Sequence, residues 1–256
     1  MADDKKATDI ELKKTSAPAF LNTGDSAHGF EDLNVNTMAI PFIKVLNAQS
    51  PELSRKRNEY IEGASIGDLV NTITHKNYGK IVDFTVVKFE HIFVEWKPNR
   101  GGFVGYHTPV QAEQKAVDKT VFGKWVTREG NLLQDTYMFY WVIQGHEADG
   151  VVVFSADSAD IKNAKKLNSM MLSNRFADGT RALPYHQVYT AESVEVDNGE
   201  QTWWQLTYSF KGYVDEKLYL EAVEQRKLLE QKSVDYSLIE GGTGTAQKAI
   251  TAEHSY

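Results

Sequence analysis

Sixteen consecutive residues, Ile81–Trp96 (IVDFTVVKFEHIFVEW), contain neither Gly nor Pro and are dense in Val, Ile and Phe. Such side chains lose rotamer freedom in a helix and pack well on a pleated surface, so the run reads as a strand. It is far longer than the usual strand of about five or six residues. Its alternation of apolar and polar positions breaks around Lys88–His91, which predicts a bulge or bend there.

Shorter segments repeat the strand signal. Residues 136–144 and 151–155 flank the loop Gly-His-Glu-Ala-Asp-Gly as a hairpin. Residues 184–196 and 201–212 form a second hairpin around Asp197-Asn198-Gly199-Glu200, whose Asn-Gly pair tolerates positive φ. A short apolar run from Met38 to Leu46 begins the ordered chain, and the glycines between Gly63 and Gly67 suit turns. Two stretches carry helical spacing instead. Residues 157–174 place Ile161, Ala164, Leu167, Met171 and Leu172 on one side, and residues 215–232 carry Leu218, Ala222 and Leu229 among charges. The expected fold is mainly β with added helices (α+β), with an antiparallel barrel or sandwich core. The polar segment 1–37 is expected to be a flexible arm. Residues 38–232 form one domain, and the Gly/Thr/Ala-rich segment 233–256 is a disordered tail.

Composition removes several chemistries. Cys is absent, so disulfides, Cys-ligated zinc and thiol nucleophiles are excluded. The seven His residues form no HxH, HxxxH or HExxH pair, and no GxSxG elbow, Walker loop or dinucleotide fingerprint occurs. No apolar run approaches the ~20 residues of a membrane helix, and the N-terminus lacks a secretory signal, so a soluble intracellular protein is expected. The net charge is -7. The excess acid lies in both ends, -3 in residues 1–35 and -3 in residues 215–256, around a middle at -1. A polyanion partner therefore depends on whether the middle gathers its bases locally.

Three connections mix bases with aromatics or glycines. Lys97, Arg100, Phe103 and Tyr106 cluster around Gly101-Gly102; Lys124 and Trp125 lie near Arg128; Arg55 and Arg57 sit in a basic loop. Basic loops commonly serve solubility, but exposed aromatics beside them suit unpaired bases. On helix 157–174, Lys162 and Lys166 share a flank with Ser169 and Ser173, which suits phosphate contacts or simply faces water. Strand 201–212 places Trp204, Leu206, Tyr208 and Phe210 on a core face. Trp203 points the opposite way among polar residues, as a stacking platform or a covered side chain. One enzymatic pattern also stands: Asp83 before Glu95-Trp96-Lys97 is similar to the D…ExK arrangement of metal-dependent nucleases. It requires the strand to fold back near residue 90.

Ala39-Ile40-Pro41-Phe42-Ile43-Lys44-Val45-Leu46, Ser50-Pro51-Glu52-Leu53, Tyr60-Ile61-Glu62-Gly63-Ala64 and Gly101-Gly102-Phe103-Val104-Gly105 together resemble tailed-bacteriophage single-stranded DNA-binding proteins. Glu95-Trp96, the helix near Ile161 to Lys166 and Trp203-Trp204 continue the similarity over residues 39–225. The resemblance implies an OB-fold-like barrel that coats single strands in phage replication and recombination. It implies no enzyme activity, no cofactor and no metal, and a place in the host bacterial cytoplasm. The implied partners are single-stranded DNA and phage replication or recombination proteins. Many such proteins end in an acidic tail; here residues 240–256 hold only Glu240 and Glu253 against Lys248. Two other readings stay open: the nuclease, and a phage protein that binds a host factor.

Overall fold

The long apolar run is one continuous strand, and the rest of the chain is arranged on it. The computed structural model describes residues 41–121 and 123–230, with Arg100 described through its backbone. The expected arm 1–37 and tail 233–256 lie outside the described residues. In chain order the strands are β1 (Ile43–Val45), β2 (Leu69–Asn71), β3 (Ile81–Trp96), β4 (Phe103–His107), β5 (Ala116–Lys119), β6 (Trp125–Thr127), β7 (Leu132–Ile143), β8 (Val151–Asp157), β9 (Gln187–Asp197) and β10 (Thr202–Tyr213). The helices are α1 (Pro109–Lys115), α2 (Ile161–Ser173) and α3 (Glu216–Glu230).

β3 and β7 are the spine, paired antiparallel from Phe84↔Ile143 to Trp96↔Leu132. The main sheet runs β10-β9-β3-β7-β6-β5, with β4 also on β3 and β8 also on β7. On its other edge β3 pairs with β9 at Ile81 to Phe84 and with β4 at Phe93 to Trp96. β1 and β2 form a separate ribbon that docks on β8, where Val153 N–H donates to Pro41 O at 2.8 Å. Among the described residues the result is a curled half-barrel of antiparallel strands with three α-helices, an α+β, OB-fold-like architecture.

The expected irregularity in β3 is a bulge at Val87, where the register with β7 slips between Val86 and Lys88. A bulge inverts the parity of everything beyond it. Val82, Phe84 and Val86 therefore join one core, whereas Val87, Ile92 and Val94 join the other. The first core is closed by Ala164, Leu167 and Met171 of α2 around Trp141, whose ring stacks on Phe84 at 4.0 Å and Phe154 at 5.1 Å. The second is closed by Leu218, Ala222 and Leu229 of α3. Both helices thus bury most of the faces that their spacing marked, but Leu172, expected on the buried side of α2, is 63% exposed near the end of the helix. Within 157–174 the α-helix proper starts at Ile161, after a 3-10 turn at Ser158–Asp160.

Two details depart from the sequence reading. Phe210 was expected in the core, but it is 39% exposed, because β10 is an edge strand and the core thins towards its end. The region 103–133 holds four short elements with little strand signal of their own. Among them, α1 is started by a capping box: Gln111 N–H donates to Thr108 Oγ1, and Thr108 N–H donates to Gln111 Oε1, with Pro109 following.

Candidate nucleic-acid interface

Pairing with β7 sets alternate side chains of β3 and β7 beside one another on one face, and beyond the Val87 bulge these are aromatic. Phe89 meets Tyr137 edge-on at 5.4 Å and Phe139 at 5.0 Å. His91 lies 4.8 Å from Tyr137 and 5.5 Å from Phe93. Phe93 stacks on Trp125 of β6 at 4.9 Å with the planes 5° apart. The rings form one connected row across the sheet. It is rooted in the core at Phe139 and reaches water at Phe89, which is 37% exposed. His91 bonds Asp135 at 2.6 Å within the row.

The row ends where two hairpins meet. β3 turns into β4 through Pro98–Arg100, held by Lys97 N–H to Gly102 O at 2.9 Å, and β6 turns into β7 through Gly130. The turns touch: a Cβ on Gly130 would lie 3.9 Å from Pro98 Cγ. This end holds Lys97, the Arg100 backbone and Arg128; Lys124 precedes Trp125 at the other end of β6, in the turn where Thr120 N–H donates to Lys124 O at 2.8 Å. Lys97 and Arg128 are exposed and Lys124 is half-buried. None of these three side chains has a carboxylate partner among the described residues.

Beneath the hairpins lies a buried carboxylate. Glu95 is 2% exposed, and it accepts Lys115 Nζ at 2.7 Å and Asn131 Nδ2 at 2.7 Å and bonds His107 Nε2 at 2.6 Å. Burial alone would raise its pKa. The hydrogen bonds from Lys115, Asn131 and His107, with the Lys115 charge, outweigh that and hold the carboxyl below its ordinary range. The four residues come from β3, β4, α1 and the turn before β7, so the network pins together the elements that carry the basic loops.

The other expected site residues are distributed around the molecule. Phe103 and Tyr106 lie on the far face of β4. Phe103 packs edge-on against Trp96 at 6.0 Å, and Tyr106, 44% exposed, sits opposite Val94. Arg55 and Arg57 are exposed in the loop after β1, where Arg55 Nε donates to Tyr60 Oη at 3.3 Å. Lys162 and Lys166 are exposed on α2. Trp203 faces away from Leu206, as alternation requires, but it is half-buried and its buried indole N–H has no acceptor among the described residues. Trp204 is half-buried too, with its ring on Gly67 and the Lys80 ammonium 4.3 Å above it.

The nuclease constellation does not assemble. β3 stays continuous from Asp83 to Glu95, a span of about 40 Å at the strand rise. The bulge also turns the two side chains to opposite faces. Asp83 is held instead by Thr190 Oγ1 at 2.6 Å and Lys211 Nζ at 2.5 Å. Among the described residues no three His, Asp or Glu side chains converge as a metal site would need.

Sequence reasoning did not find Phe89, His91, Phe93 and Tyr137 as a group. Their signal is real but indirect: aromatic residues at alternate positions on two long strands, which become neighbours only once register is known.

No curated protein and no solved structure matches the chain. A model of the family described as Pam3 phage gp34-like protein matches residues 9–235, which includes every described element of the fold. With that span matched, the chain belongs to a phage protein family, the Pam3 phage gp34-like proteins.

Proposed function

We propose that this protein binds single-stranded DNA, with little dependence on sequence and without chemistry of its own, in replication or recombination of a phage in the host cytoplasm. The observation that carries the reading is the connected aromatic row from Phe89 to Trp125, with Lys124 in the turn before Trp125 and Lys97 and Arg128 in the turns beyond β6, all three without carboxylate partners among the described residues. Phe89 reaches water at one end of the row and half-buried Trp125 lies near the cations at the other, with Phe93 and Tyr137 buried between them. Exposed ring faces and cations suit a chain of unpaired bases and phosphates, because every base has a π-face whatever its identity. A duplex hides those faces, so it gains only the phosphate term.

The test is titration of a labelled oligonucleotide and its duplex at matched salt, with and without Mg²⁺. The expected result is tight binding of the single strand, weak binding of the duplex and no cleavage. With three to five phosphate contacts, log affinity should fall with log salt at a slope of about -2 to -4. Equal affinity for both forms, or Mg²⁺-dependent cleavage, refutes the reading.

A further inference from the structure

The aromatic row does not stop at Phe89. Between its β9 and β4 partners, the edge of β3 pairs with no strand among the described residues. A cleft of about 310 Å³ opens there, its wall including Lys88, Phe89, Tyr185, Arg226, Leu229 and Glu230, with Arg226 Nε donating to Glu230 Oε1 at 2.8 Å. Tyr185 carries the Arg226 guanidinium 4.9 Å over its ring and touches His186 at 4.6 Å. From His186 the rings continue to Phe176 at 5.8 Å, from Phe176 to Tyr213 at 4.9 Å, and from Tyr213 to Phe210 at 5.6 Å. A bulge at Lys211 puts Phe210 and Tyr213 on the same face although they are three residues apart. They are 39% and 45% exposed.

At the end of this second string stand two arginines. Arg175 and Arg181 are antiparallel bridge partners across a tight turn. Like charges set directly opposite one another destabilise a strand pair. Nothing described offsets this: both side chains are exposed and neither meets a carboxylate. The turn's own acid, Asp178, accepts Thr180 N–H at 2.8 Å. Tyr213 Oη donates to Arg175 O at 2.7 Å, which fastens the arginine turn to the rings.

Taking the single-strand reading as its basis, we infer that Arg175 and Arg181, with Phe176, Tyr213 and Phe210, are a second contact segment for the same strand. The strand leaves the first row across the free edge of β3 at the Phe89–Tyr185 cleft, and the paired guanidiniums hold its further phosphates. An acidic peptide such as polyglutamate would satisfy the arginines but brings no π-face to the exposed rings beside them, whereas every nucleotide brings a base and a phosphate together.

The experiment uses the full chain and a fluorescein-labelled oligothymidylate of about 20 nucleotides, longer than one OB-fold usually covers. Parent, Arg175→Ala/Arg181→Ala and Arg175→Lys/Arg181→Lys are compared by anisotropy over a salt series, with melting curves as a check on folding. The alanine pair should melt no lower than the parent, since it loses the like-charge opposition, bind roughly tenfold more weakly, and show a salt slope shallower by about 1.4. The lysine pair should recover the slope. If the parent binds and the alanine pair matches it in affinity and slope, the second segment is refuted while single-strand binding stands. If the parent binds no oligonucleotide, both fall. Binding of a polyglutamate peptide that the alanine pair loses, with oligonucleotide affinity unchanged, overturns the inference in favour of an acidic peptide.

Discussion

Phe93 on β3 and Trp125 on β6 stack with centroids 4.9 Å apart and planes within 5°, although β7 runs between their strands. Phe93 is 8% exposed and rests on Leu133 and Ala112, so the phenyl ring is a fixed floor and the half-buried indole is the part presented outward.

That division of roles separates two variants. Phe93→Ala should open a cavity and cost about 3–4 kcal/mol of stability. Trp125→Ala should cost about 1–2 kcal/mol of stability, mostly the lost ring contact. It should also weaken oligonucleotide binding by about 1–3 kcal/mol. Trp125→Phe should keep both nearly intact. Denaturant melts alongside fluorescence titrations check this; a Trp125→Ala protein that binds normally removes Trp125 from the interface.

Glu95 predicts an acid-sensitive end of the sheet. Its folded pKa lies below the ordinary carboxylate value, so its stabilisation is complete above that value and fades as pH falls through the folded one. Glu95→Gln should cost about 2–3 kcal/mol at neutral pH, since it leaves Lys115 and His107 without their anion. The gap between variant and parent should close on acidification. Melting temperatures from pH 7 down to strongly acidic buffer test it, and a constant gap excludes the linkage.

Asp160 carries the opposite sign. Burial first, and then the Asp157 charge, push its pKa up from 3.8 to about 7, against the Leu206 N–H that favours the anion. The unfolded chain releases this proton at lower pH than the folded one, so stability falls as pH rises from the ordinary aspartate range to about 7. Asp160→Asn should melt higher than the parent at pH 8, and the difference should vanish near pH 4. A variant that melts lower at pH 8 would show that the carboxylate is needed charged.

Gly67 and Trp204 should be energetically coupled. Gly67 has φ +88°, and a Cβ there would sit 2.5 Å from the Trp204 ring. Gly67→Ala should cost about 2–3 kcal/mol, part strain and part clash. In a Trp204→Ala background only the backbone strain, about 1 kcal/mol, should remain. A double-mutant cycle measures the difference, and strict additivity would place the ring elsewhere in solution.

Much of the scaffold was legible because its signals are local. The run Ile81–Trp96 announced a strand and its irregularity; Asn198-Gly199 marked a hairpin, and the structure puts Gly199 at φ +86°. Ala164, Leu167 and Met171 marked the buried side of α2 at helical spacing. The capping box at Thr108 to Gln111 was also written in the chain, although it was not read as a helix start. The basic residues near positions 97 and 128 lie in separate loops of the sequence, and their meeting at the Pro98–Gly130 contact is not visible there.

What the sequence determined alone is the inventory: strands too apolar and branched to be helices, two amphipathic helices, no thiol chemistry, and basic clusters in three connections and on one helix flank. Register and bulges decided the rest, because a one-residue slip moves every later side chain to the other face. The slip at Val87 turned Glu95 away from Asp83 and aligned Phe89, His91 and Phe93 with Tyr137 and Trp125. The slip at Lys211 set Phe210 and Tyr213 side by side. Periodicity within a strand cannot supply that information: it depends on which residue of the neighbouring strand stands opposite, and only tertiary pairing sets that.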